Sequence, residues 1–211
     1  MRVLNRFRQA EKPLSPGAAA GWAAGSLALG ILMGVFSKWM DAMAIHDEIW
    51  WQRIFGILDL RNIFSEMPVW LLLGAAAAVF SVSAGQAAGN VFLFFAGMTA
   101  SYHAYTVWIC GFNPRQYMLI WYALTLVSPL AAVFCWCAGG KSRAAGVLQI
   151  LLYFGMMLFV FQAGWFFVSV GRIADLLFLA LLAAAMRQPF GKTVLRLGIA
   201  FVLRAAVGLI L

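Results

Sequence analysis

Residues Met67–Pro114 read MPVWLLLGAAAAVFSVSAGQAAGNVFLFFAGMTASYHAYTVWICGFNP, without a single Asp, Glu, Lys or Arg. A bilayer crossing takes about 20 predominantly apolar residues. This stretch therefore holds two crossings, reversing near Ser81–Gln86. The pattern predicts an all-α, polytopic integral membrane bundle.

The rest of the chain agrees. It has 211 residues, 64% hydrophobic and 10% charged, with a mean hydropathy of +0.91. Soluble domains carry about 25% charged residues. The reading is a basic cytoplasmic N-terminal segment, residues 1–15, followed by a single transmembrane domain over 16–211. The longest segment outside the membrane is the amphipathic loop 39–67.

The net charge of +8 does not point to nucleic acid, because the basic residues sit at the ends of apolar runs, where they set topology and meet headgroups. Cys110, Cys135 and Cys137 lie in or beside apolar segments and read as buried thiols; no disulfide framework, metal site or cofactor motif follows. Arg2, Arg6, Arg8 and Lys12 resemble the n-region of a signal peptide. However, the apolar run Gly17–Ser37 exceeds the roughly 7–15 residues of an h-region, so it reads as a retained first span.

That first span, about Pro16 to Lys38, is rich in small residues. Gly17, Gly21 and Gly25 recur every four positions, as do Ser26, Gly30 and Gly34. The second stripe predicts a close helix-packing face, against the chain's own helices or a partner membrane protein. Residues 39–67 mix acids and arginines with Ile, Phe and Trp, and predict one or two short amphipathic helices on the outer surface, anchored by Trp50 and Trp51, with Asp47 as a cap.

Further spans are expected at about Pro68–Ser83, Gly85–Gly111, Gln116–Cys137 (kinked at Pro129), Ala144–Phe167 and Ser169–Met186. Thr193–Leu211 is long enough for a seventh, although Arg196 and Arg204 count against it, leaving six or seven. With the N-terminus cytoplasmic, nine basic residues lie inside and five outside, the arrangement the positive-inside rule favours.

This orientation brings polar and aromatic groups from separate helices to the outer half. His103, Tyr102, Tyr105, Tyr122, Gln162 and Arg172 are the candidate pocket residues, since isolated polar groups in lipid are costly. Arg172 would favour a small polar or anionic ligand unless Asp175 neutralises it, and His103 could hydrogen-bond or respond to pH. An ordinary interfacial aromatic belt is the competing account. Zinc-helix, nucleophile-elbow and phosphate-loop motifs are absent, and His103 and Ser101, two apart on a helix, face different ways. The expectation is a non-enzyme.

In general plan, with about six helices, a small-residue first helix and a covering first loop, the chain is similar to the substrate-binding membrane subunits of energy-coupling factor transporters. The likeness is architectural and carries over no site residue. It implies a small-molecule binding or transport component that lacks a nucleotide-binding motif to power transport alone. The alternative is a non-catalytic scaffold or assembly partner. The cysteine pattern and the lack of an organelle-targeting segment point to a bacterial cytoplasmic membrane.

Overall fold

Ser15 and Pro16 start the first long helix. The serine Oγ accepts the Ala18 N–H at 3.3 Å, and proline occupies a first-turn position where no intrahelical partner awaits an N–H. The computed structural model describes residues 4–44, 46, 48–57, 59–164 and 167–209; the side chains of Arg61 and Ala163 are also outside the description, as are Asp47 and Trp165.

The chain is predominantly helical: α1 (Pro16–Ala42), α2 (Trp50–Ile57), α3 (Leu60–Ile63), α4 (Met67–Val79), α5 (Ala84–Trp108), α6 (Arg115–Ala138), α7 (Arg143–Val160), α8 (Ile173–Ala185) and α9 (Phe190–Gly208). Between α7 and α8 lies an antiparallel pair, β1 (Phe161–Gly164) and β2 (Phe167–Val170). Helices α1, α6 and α7 are long and apolar enough to cross a membrane. Helices α4 and α8 are apolar but have 13 residues each, about 20 Å of helix at 1.5 Å per residue.

The fold divides into two compact units. One comprises Leu14–Glu66 and Ala88–Ala131; the other comprises Met1–Pro13, Met67–Ala87 and Ala132–Leu211.

In the first unit, α1 and α5 meet backbone to backbone. A Cβ at Gly30 would overlap the Phe94 carbonyl, and one at Gly34 would overlap the Met98 carbonyl and the Ser101 hydroxyl. From the other side, a Cβ at Gly97 would come 2.6 Å from the Leu27 oxygen. Ser101 donates to the Ile31 carbonyl at 3.0 Å, adding a polar tie where the backbones run close. Ser26 is half-buried, whereas Gly17, Gly21 and Gly25 open into free space.

On the same unit, α5 and α6 are joined by the buried Thr99–Thr125 hydroxyl pair, 3.0 Å apart. Pro129 lies inside α6. It lacks the N–H that would bond the Thr125 carbonyl; the Ser128 hydroxyl donates to that oxygen at 2.8 Å. The 39–67 segment forms the short helices α2 and α3, with α3 against α1 and α2, and Phe64 meets Phe36 edge-on at 5.3 Å.

In the second unit, the reversal after α4 is built by Ser83 and Gln86. Ser83 Oγ accepts the Gln86 N–H at 3.2 Å, and Gln86 Oε1 accepts the Val82 N–H at 3.0 Å. This is the serine–glutamine exchange of a capping box shifted by one residue. Trp136 donates to the Ser81 carbonyl at 3.0 Å. Helix α7 packs against α4, α8 and α9. Tyr153, Met156, Leu182 and Met186 are buried there.

The structure corrects the expected span Ala144–Phe167. Helix α7 stops at Val160, and Gln162 pairs with Ser169 in the β-hairpin. Residues 161–170 are rich in aromatic and β-branched side chains with glycine at 164 and 171, a composition that favours paired strands over helix.

Candidate functional site

Tyr102 and His103 are neighbours on α5, so their side chains leave the helix about 100° apart and serve two separate clusters. The first gathers at the end of α1. Asp41 accepts a hydrogen bond from the Tyr102 hydroxyl at 2.7 Å and another from the Ser65 hydroxyl at 2.9 Å. Lys38, one turn earlier, pairs with Asp41 at 3.9 Å and lies over the rings of Tyr102 and Phe112, at 5.2 and 5.4 Å from their centroids. Lys38 is buried. Its carboxylate and its two rings are what make that burial tolerable.

The second cluster centres on His103. Its Nδ1 is 2.5 Å from the Tyr122 hydroxyl on α6, and its Nε2 is 3.1 Å from the Asn113 side-chain oxygen. One assignment satisfies both contacts with a neutral ring: Nε2–H donates to Asn113, and Nδ1 accepts from Tyr122. The imidazole is thereby held in one tautomer between a helix and the Asn113–Pro114 turn. Ser101 is committed elsewhere, to the carbonyls of Ile31 and Met98.

Of the six sequence-chosen residues, Tyr102, His103, Tyr105 and Tyr122 fall in this unit. Tyr105 is half-buried. Gln162 and Arg172 belong to the other unit. Gln162 is exposed on β1, not in the outer third of a helix, and Arg172 occupies the N-cap position of α8, where its carbonyl accepts the Asp175 N–H at 3.2 Å.

Sequence reading missed Lys38, Asp41 and Asn113. Ending the first span at Lys38 left Asp41 in a loop, yet the two stand three apart on a helix that continues to Ala42. That spacing was the available signal.

It also missed a polar core in the second unit. Gln149, fully buried on α7, donates to the carbonyls of Ala138 and Gly140 and receives Arg196 from α9. Gln188 donates to the Gly140 carbonyl at 3.2 Å and accepts from Arg196 at 3.3 Å. Gly146 leaves room for the Arg196 guanidinium.

Among the described residues, no three His, Cys, Asp or Glu side chains converge as a metal-binding group. Scans against protein-family models, curated proteins and solved structures return no match.

Proposed function

We propose that this chain is a multi-pass membrane protein of the bacterial cytoplasmic membrane that binds, or helps to transport, a small polar or anionic molecule. In this reading the N-terminus is cytoplasmic, and the 39–67 segment covers the outer end of α1 and α5. The observation that carries it is the pair of polar clusters at that end: Asp41, Lys38 and Tyr102 in one, His103, Tyr122 and Asn113 in the other. Polar side chains at membrane depth are costly and concentrate where a solute passes or is held.

Within this reading α9 counts as a seventh crossing. Arg196 and Arg204, which count against a crossing by α9, both turn inward, to Gln149 and to the Phe161 carbonyl. Leu195, Ile199 and Val202 face outward. A helix that hides its arginines and exposes its leucines suits lipid.

The test is a thermal-shift screen of the purified protein with small polar and anionic solutes, repeated on His103→Ala and Tyr102→Phe. The reading requires at least one solute that stabilises the wild type and loses its effect in a variant.

One observation favours a second reading, a scaffold or assembly partner: Gly17, Gly21 and Gly25 form a small-residue face with open space beside it. Stoichiometric co-purification of a membrane protein, abolished by Gly21→Leu, together with silence in the solute screen, would select it.

A further inference from the structure

The second unit contains a cavity of about 580 Å³ at the ends of its helices, walled by the N-terminal segment and the turns after α6 and α8. Four cations line it, Arg6, Arg8, Lys141 and Arg187, against one carboxylate, Glu11. Arg8 is the fixed part. It donates to the Val79 carbonyl at 2.7 Å, pairs with Glu11 at 3.1 Å and lies 5.0 Å over the Trp136 ring. Two hydrogen bonds hold the segment in place: the Glu11 backbone N–H donates to the Val82 carbonyl at 2.9 Å, and the Ser142 hydroxyl donates to the Phe7 carbonyl at 3.0 Å.

The other three cations are exposed, and among the described residues none meets a carboxylate. Arg187 adopts φ 50°, a left-handed conformation uncommon for a residue with a side chain, and its guanidinium lies 4.4 Å over Phe80. Ser142 caps the N-terminus of α7 at the cavity wall, so the positive end of that helix adds to the same field. One carboxylate, already spent on Arg8, leaves a concave surface with unmatched positive charge.

We propose that this cavity binds a phosphate-bearing anionic group, the headgroup of an anionic phospholipid. Arg6, Lys141 and Arg187 would contact the phosphate, and Arg8 would shape the floor. The cavity lies at helix ends in a chain with membrane-spanning helices, where such headgroups are concentrated. The site is independent of the His103 and Asp41 clusters and of any solute they bind.

The test uses the full chain, delipidated in neutral detergent and titrated with phosphatidylglycerol, phosphatidylcholine, glycerol 1-phosphate and inorganic phosphate, with native mass spectrometry and thermal shift as readouts. The expected result is saturable phosphatidylglycerol binding, at least tenfold tighter than phosphatidylcholine and weakened at least tenfold in the triple variant Arg6→Gln, Lys141→Gln, Arg187→Gln. Lys192→Gln, an exposed basic residue of the same unit that does not line the cavity, should bind like the wild type. The triple variant replaces exposed side chains, and an unchanged melting temperature without lipid would confirm that it folds. Competition by glycerol 1-phosphate or inorganic phosphate at matching concentration would assign the site to a soluble phosphate and overturn the lipid source. Equal binding of the two lipids, or full retention by the triple variant, would overturn the site itself.

Discussion

Arg204 donates from both Nε and Nη2 to a single acceptor, the carbonyl oxygen of Phe161, at 3.1 and 2.7 Å. Phe161 is the residue at which α7 gives way to the β-hairpin. The last third of α9 therefore holds the end of α7 with a charged donor, and an arginine that looks hostile to a bilayer becomes part of the packing between two helices.

Arg204→Leu should lower stability by about 1.5–3 kcal/mol, the usual range for a hydrogen bond to a charged group. Arg204→Lys should retain part of it, because a lysine keeps the charge but not the two-pronged geometry. Chemical or thermal unfolding in detergent reads both. An unchanged unfolding midpoint for the leucine variant would show that the contact contributes nothing.

The Tyr153 hydroxyl on α7 is buried and, among the described residues, has no hydrogen-bond partner. Tyr153→Phe keeps the ring and removes the unmatched group, so it should be neutral or stabilising by up to about 1–3 kcal/mol. Tyr153→Ala should cost about 3–5 kcal/mol through the cavity it leaves. A clear loss of stability in the phenylalanine variant would mean that the hydroxyl has a partner.

Gly30 and Gly21 lie on the same helix and make opposite predictions. Gly30→Leu must push Phe94 and Met98 of α5 away and should cost about 1–3 kcal/mol or more. Gly21→Ala meets nothing within 4 Å and should be neutral or slightly stabilising, since alanine favours helix by about 1 kcal/mol over glycine. Comparing the melting temperatures of the two variants tests the assignment directly; equal shifts would refute it.

Asp41 and Tyr102 should be energetically coupled. In a double-mutant cycle of Asp41→Asn and Tyr102→Phe, the coupling energy should reach about 1–2 kcal/mol, as expected for residues sharing a charge-assisted hydrogen bond. Additive single-variant effects would show that the 2.7 Å contact is incidental.

Orientation has its own measurement. With Cys110 replaced, a cysteine introduced at Gln9, which is exposed, should be protected from an impermeant thiol reagent added to intact cells. One at Glu48, also exposed, should react. The reverse pattern would invert the topology.

Much of the candidate site was legible in the residue types. A histidine and several tyrosines on an otherwise apolar helix stand out in one dimension, and Tyr102, His103 and Tyr122 do enter polar clusters. Gln162 was misplaced because helix and strand are both open to a short run of aromatic and β-branched residues; the choice rests on whether a second strand is there to pair with it. Gly97 escaped notice, and Ser101 was weighed only as a partner for His103, although the two stand four apart on the face that meets α1.

The sequence by itself determined that the chain has segments long and apolar enough to cross a membrane, and roughly where its helices lie. Apolar length, proline at helix starts and capping serines act along the chain and need no neighbour. Tertiary structure decided which of two small-residue stripes is filled, since Gly30 and Gly17 are chemically identical and differ only in what approaches them. It decided that Arg196 and Arg204 point inward, because a buried arginine is tolerable only where acceptors wait for it, and Gln149 and the Phe161 carbonyl come from a distant part of the chain. It also gathered Arg6, Lys141 and Arg187 around one cavity, since convergence of like charges depends on how helix ends meet.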